Sequence, residues 1–372
     1  MTSARRTRVL IVDDSAVMRS LLRSVIATDA VLEVAGTASD GGSVLGAIRL
    51  HQPDLILLDV EMPVLDGLAT LRQLRERGHR MPVIMCSSLT QRGATVTIEA
   101  LAGGASDYVA KPSGQANREQ AVRTLAQELI PKIHALTTLT QRQTVIPIAP
   151  RSQPNTTTQL PLCTPKVVAI GVSTGGPAAL DVLLPALPAK FPLPVLIVQH
   201  MPEVFTRLFA ERLGRRCPLR VCEASEGEPV NSGTVYIARG GWHMETLAAA
   251  RGIGSSTIHL NQEAPENHCR PAADRLFRSV AKTYGAGVLA VVLTGMGSDG
   301  LAGCRIVRQE GGMVLAQDQA TSTVWGMPGS VAQAGLAHKI LPLAAIAPEI
   351  VRITGRSAAA VEPRGATRMV AS

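Results

Sequence analysis

The feature that most constrains this chain is a repeated alternation: short apolar runs, each ending in polar or acidic residues, separated by amphipathic stretches. In the first part the runs are "RVLIVDDS", "VLEVAGTAS", "DLILLDVEMP", "MPVIMCSS" and "DYVAKP", with helical patterns at 15–27 and 67–77 and a closing one at 117–136. Each run is short enough for a buried strand, and the stretches between are long enough for crossover helices. Strands that alternate with helices predict a parallel sheet covered on both faces, here doubly wound and five-stranded. From Thr137 to Pro165 the pattern stops: Thr, Gln and Pro dominate "TTLTQRQTVIPIAPRSQPNTTTQLPLCTP" and no periodicity survives. That is the composition of a flexible linker. At Lys166 a second α/β region begins, with strands in "KVVAIGVS", "PVLIVQH", "GTVYIA" and "GVLAVVLTGMG". The expected division is a first domain at 7–136, a linker at 137–165, a second parallel-sheet domain at 166–355 and a frayed tail at 356–372.

Composition narrows the partners. Aromatic residues make up 2% of the chain, too few for stacking platforms on single-stranded nucleic acid. The net charge of +8 lacks a dense Lys/Arg run, and residues 1–112 carry 12 basic and 12 acidic side chains. This reads as a solvated surface, not a nucleic-acid footprint. The 6 cysteines form no C-x-x-C pair, so neither a zinc site nor a disulfide framework is indicated, and a reducing cytoplasm is the expected setting. The apolar run after Arg5, Arg6 and Arg8 is broken by Asp13 and Asp14, unlike a signal peptide, and no apolar stretch is long enough for membrane insertion.

Asp13 and Asp14 end the first strand and Asp59 the third. In a parallel sheet the carboxyl ends of the strands share one edge, where ligands collect. Three carboxylates there repel one another unless a cation intervenes, and Mg²⁺, a hard ion content with few protein ligands, suits them. Ser87 ends the fourth strand and Lys111 the fifth. A metal site, a carboxylate, a hydroxyl and an ammonium on one edge suit phosphoryl transfer onto Asp59.

In the second region "AIGVSTGGPAAL" runs strand, turn, helix and fits G-x-S-x-G from Gly171 to Gly175. No Lys follows the glycines, so it is not a phosphate-binding P-loop. Alone, the stretch describes equally well a tight turn that needs glycine. A base changes that balance. His200 directly follows the apolar run "VLIVQ", the strand after the one that leads to Ser173, and a right-handed crossover puts both strand ends on one edge. Asp299 follows a third apolar strand through "LTGMGSDG". Ser173, His200 and Asp299 thus have the arrangement of nucleophile, base and orienting acid. Their order in the chain differs from that of α/β-hydrolases. N–H groups near Thr174–Gly175 or Met296–Gly297 are candidates for an oxyanion hole.

Residues 7–136 resemble a response-regulator receiver domain, through "VDDS", "LLDVEMPVLDG", "MCSS" and "YVAKP" in order. The resemblance implies that Asp59 accepts the phosphoryl group and that Asp14, Asp59 and the Glu61 carbonyl bind Mg²⁺ with help from Asp13. It further implies that Ser87 and Tyr108 are the switch hydroxyl and aromatic. With "IGVSTGGP", "VQHMPEVFTRLFAERL", "YIARGGWHM", "NHCRPAADRLFRSVA", "LTGMGSDG" and "VWGMPGSVAQAG", residues 7–350 resemble the chemotaxis protein-glutamate methylesterase family. That implies hydrolysis of γ-glutamyl methyl esters on chemoreceptor cytoplasmic helices, often with glutamine deamidation, and a histidine kinase as phosphodonor. By position it makes Ser173 the nucleophile, His200 the base and Asp299 the acid, with Thr174 and Met296 near the oxyanion. Arg239 and Cys269 depart from common family residues, and neither is expected to touch the triad.

Other readings compete. A DNA-binding output would usually be a compact basic helical reader, whereas about two hundred residues of strands and glycine turns follow the linker. A non-catalytic module in which "STGGP" holds a phosphate, and a methylesterase serving another receptor system, are the alternatives to a chemotaxis esterase.

Overall fold

The computed structural model describes residues 5–112, 117–142, 164–248 and 256–359. The stretches 143–163 and 360–372, which include Cys163 and most of the expected linker and tail, lie outside the described residues.

The first sheet is built from β1 (Thr7–Val12), β2 (Leu32–Ala38), β3 (Leu55–Asp59), β4 (Val83–Ser87) and β5 (Asp107–Ala110). Its order is β2-β1-β3-β4-β5 and every pairing is parallel. β1, β3 and β4 are buried along almost their whole length, which is why they read as unbroken apolar runs rather than alternating ones. The crossovers are α1 (Ala16–Ile26), α2 (Val44–His51), α3 (Gly67–Glu76), α4 (Gln91–Ala102) and α5 (Arg118–Arg142). Ser15, Asp66 and Thr90 cap α1, α3 and α4, each accepting the N–H three residues on. The expected end of the closing helix at 136 is corrected: α5 continues to Arg142. Leu136 and Thr137 are both buried, and Thr137 Oγ1 donates back to the Ile133 carbonyl, so the first threonine of the polar stretch extends the helix.

The second sheet has seven strands in the order β14-β13-β12-β6-β7-β9-β8, all parallel. In chain order its elements are β6 (Val167–Val172), α6 (Gly176–Leu183), β7 (Val195–Gln199), α7 (Glu203–Gly214), β8 (Arg220–Glu223) and β9 (Thr234–Ile237). An antiparallel ribbon follows, β10 (His243–Ala248) with β11 (Ser256–Asn261). Then come α8 (Ala273–Tyr284), β12 (Val288–Val292), α9 (Leu301–Gln309), β13 (Met313–Gln317), α10 (Met327–Gln333), β14 (Lys339–Leu341) and α11 (Leu343–Ala359). The chain grows outward from β6 on one side through β7, then returns to place β12 on the other. The strand order therefore reverses between β6 and β12, the point where ligands collect at the carboxyl edge of an open α/β sheet. β6, β7 and β12 are buried throughout and hold that edge rigidly.

Candidate active site

On the first sheet, Asp13, Asp14 and Asp59 each bring a carboxylate oxygen within 4.8 Å of the others. Asp13 and Asp59 are buried, and Asp59 Oδ2 accepts no hydrogen bond. Lys111 Nζ lies 2.9 Å from Asp13 Oδ2 and 2.7 Å from Asp59 Oδ1. Burial pushes the Asp59 carboxyl above the usual carboxylate range, against the pull of Lys111. A buried carboxylate oxygen with no donor, beside two further carboxylates, fits a hard cation. Glu61 is linked to the cluster through its N–H, 3.3 Å from Asp59 Oδ1. Ser87 is buried and faces Thr97, whose hydroxyl donates to it at 2.7 Å.

On the second sheet, Ser173 follows β6, His200 follows β7, and Asp299 lies in the loop after β12. The Ser173 N–H donates to the Thr294 carbonyl at 3.0 Å, which pins the turn to the β12 side. Gly175 has φ 77°, and a Cβ there would come within 2.3 Å of Thr323 Oγ1. The turn therefore demands glycine both for conformation and for space. α6 starts directly behind it, with Pro177 in its first turn.

His200 Nε2 is 2.7 Å from Asp299 Oδ2. The Asp299 carboxylate also accepts from the N–H groups of Ala273, Asp274 and Gly300 and from Asn267 Nδ2. Burial disfavours its charge, but His200 and these donors outweigh burial and hold the carboxyl below its usual range. Burial likewise works against the imidazolium, yet Asp299 and then Cys269 raise the His200 pKa to about 9. The second ring nitrogen, Nδ1, faces Cys269 Sγ at 3.5 Å. This corrects the expectation that Cys269 stays clear of the triad: the segment that carries it folds over the histidine ring. Among the described residues no hydrogen bond joins Ser173 Oγ to His200. The backbone N–H groups of Thr174 and Met296 likewise donate to no group among the described residues.

Ser173, Thr174, His200 and Met296 line one cavity of about 950 Å³. The first sheet's side supplies much of the remaining wall, including Asp107, Tyr108, Glu128 and Lys132. Two contacts join the halves there. The Tyr108 ring stacks on Phe205 of α7, centroids 4.7 Å apart. Thr174 Oγ1 donates to Asp107 Oδ2 at 2.7 Å in a buried contact. Lys132 closes the group, donating to the Tyr108 carbonyl at 2.6 Å and lying 3.6 Å from Asp107 Oδ1. Arg239 sits elsewhere. It pairs with Glu203, lies over the Trp242 ring at 5.5 Å, and lines a separate cavity between the halves that does not include Ser173.

Comparison with known proteins bears on both halves. A family model described as CheB methylesterase matches residues 168–350, and one described as response regulator receiver domain matches 9–123. A Trichodesmium erythraeum protein named protein-glutamate methylesterase/protein-glutamine glutaminase is 48% identical, over 94% of this chain and 99% of its own length. A Nocardioides protein of the same name is 46% identical over 96% of this chain and 98% of its own. The chain belongs to this methylesterase/glutaminase family. Its receiver and esterase sheets are both the parallel α/β folds that the alternation of strands and helices predicts.

Three residues of this methylesterase-family site escaped sequence reasoning. Asp107 reads only as the first residue of a strand, and its partner lies 67 positions away. Gln199 is hidden in an apolar run, and Asn267, which holds Asp299 at 3.0 Å, sits in a loop with φ 52°. The adjacent "NH" pair was visible but carried no spacing signal. Of the other histidines, His243 opens β10, buried against the Ala264 carbonyl. His259, on β11, pairs with Glu226. Exposed His268 reaches the main cavity.

Proposed function

We propose that this chain hydrolyses γ-glutamyl methyl esters on chemoreceptor cytoplasmic helices, and deamidates receptor glutamines, through Ser173, His200 and Asp299. Phosphorylation of Asp59 by a histidine kinase controls it, and the cytoplasm is its place of action. Among the described residues no helix is long and apolar enough to cross a membrane.

Ser173 Oγ attacks the ester carbonyl while its proton passes to His200 Nδ1, the nitrogen not engaged by Asp299. The N–H groups of Thr174 and Met296 receive the developing oxyanion, and the proton on His200 leaves with methanol. Water, activated by the same nitrogen, then cleaves the acyl-serine and yields glutamate. With a glutamine substrate the leaving group is ammonia and the remaining steps are unchanged. In the receiver, Mg²⁺ held by Asp14 and Asp59 with Asp13 would offset phosphoryl charge while Lys111 binds the phosphoryl oxygens.

The observation that carries the reading is the shared cavity. Ser173 and the His200–Asp299 pair meet at the strand reversal, and receiver residues wall the same space. The unphosphorylated receiver thus limits access to the serine, and a rearrangement around Tyr108 relieves that limit. The deciding experiment is methanol release from methylated receptor membranes, with and without a small phosphodonor. Release that rises with phosphodonor and disappears in Ser173→Ala is expected. Undiminished release by Ser173→Ala overturns the assignment.

A further inference from the structure

Gln199 is the last residue of β7, adjacent to His200, and only 2% exposed. Its side-chain Nε2 lies 3.0 Å from the Ser173 carbonyl and 3.4 Å from the His200 carbonyl. The amide oxygen, Oε1, is buried and accepts nothing among the described residues. This orientation is chemically determined. Turning the amide over would aim its oxygen at two carbonyl oxygens, so the NH₂ end must face them. Gly176 makes the room, since a Cβ there would lie 2.0 Å from Oε1. The Ser173 carbonyl also accepts the Gly176 N–H at 2.8 Å, while the Ser173 N–H is tied to Thr294. One amide thus spans the main chains of nucleophile and base, and the second glycine of "STGG" admits it.

Building on the reading of Ser173 as nucleophile and His200 as base, we propose that Gln199 is a positioning residue that holds the two main chains in catalytic register. Its amide nitrogen engages main-chain carbonyls and neither the Ser173 hydroxyl nor the His200 ring. It acts by fixing where Ser173 Oγ stands relative to the imidazole. A buried side chain that leaves its own acceptor unpaired in order to donate to two carbonyls is poorly explained by packing, which an apolar residue of that volume would serve better.

The test uses the full-length protein treated with a small phosphodonor. A fluorophosphonate probe reads nucleophile activation without receptor binding, and methanol release from methylated receptor membranes reads turnover. Gln199→Met keeps the volume and removes both donors. Gln199→Glu keeps the shape and aims an acceptor at two acceptors. Gly176→Ala pushes the amide from the opposite side with Gln199 intact. Each variant that melts cooperatively is expected to label roughly 10- to 100-fold more slowly, with kcat lowered and KM unchanged, as misplacement by a fraction of an ångström implies. Folded variants that label at the wild-type rate overturn the positioning role. So does a defect confined to KM. Mapping the probe in the wild type separates the two levels of argument: a label elsewhere than Ser173 overturns the nucleophile assignment itself, whereas a label on Ser173 that Gln199 variants leave unaltered overturns only this inference.

Discussion

Thr174 Oγ1 donates a 2.7 Å hydrogen bond to Asp107 Oδ2, so the residue after Ser173 is tied to the residue before Tyr108 of the receiver. A movement of Tyr108 that carried Asp107 with it would pull directly on the turn that holds Ser173. Under the proposed function, receiver control would have two components, closure of the cavity and restraint of the turn.

Asp107→Ala is expected to raise methanol release in the absence of phosphodonor. A hydrogen bond to a charged group contributes about 1.5–3 kcal/mol, and each ~1.4 kcal/mol is tenfold. The rise should therefore be roughly 10- to 100-fold, and phosphodonor should add less than it does to wild type. Cleavage in the 143–163 region, leaving a fragment from Lys166 onward, should release inhibition in the same direction. Basal rates equal to wild type in both would show that the receiver activates or targets the esterase rather than restraining it.

Ser173→Ala should abolish covalent labelling with the fold preserved, and His200→Ala should cost about as much. The double variant should be no worse than either single one, because nucleophile and base act as a unit. Methanol release measured for all three decides the matter, and additive losses would separate their roles.

The pH profile follows from the His200–Asp299 pair. His200 accepts a proton only when neutral, and Asp299 and Cys269 raise its pKa to about 9 against the effect of burial. In the phosphodonor-free enzyme kcat/KM should therefore climb with pH until about that value, instead of levelling near the pKa of an ordinary histidine, about 6.5. Asp299→Asn removes the main source of the increase, so its lower profile should level at lower pH. Cys269→Ala should shift the rise in the same direction by a smaller amount. A Cys269→Ala profile that coincides with wild type would show that the thiol contact has no influence on the base.

Asp13, Asp14 and Asp59 share a space suited to a hard cation. Acetyl phosphate should label the chain only with Mg²⁺ or Mn²⁺ present, EDTA should prevent it, and Asp59→Asn should remove it. Labelling that persists in Asp59→Asn would identify another acceptor.

The sequence revealed both sheets because their strands are buried on two faces and so appear as continuous apolar runs. The strand-end positions of Asp59, Ser173 and His200 were legible for the same reason, since a polar residue that ends such a run lies at the carboxyl edge of the sheet. The contacts that support the site were not legible. Asp107, Gln199 and Cys269 act across 67, 26 and 69 positions respectively, and no local periodicity records such pairings. The end of α5 was misjudged because threonine reads as a helix breaker, whereas Thr137 returns its hydroxyl to the helix.

The reversal of strand order at β6 also affects the chain as it is made. β6 and β12 are neighbours in space, but more than a hundred residues of sequence separate them. During synthesis the serine and histidine leave the ribosome well before the strand that brings the acid. Until β12 docks, the edge of β6 stays open and His200 lacks the carboxylate that orients it. A nascent or prematurely ended chain thus holds Ser173 and His200 without Asp299, and on the proposed mechanism hydrolytic competence would arise only when the final third of the protein closes the sheet.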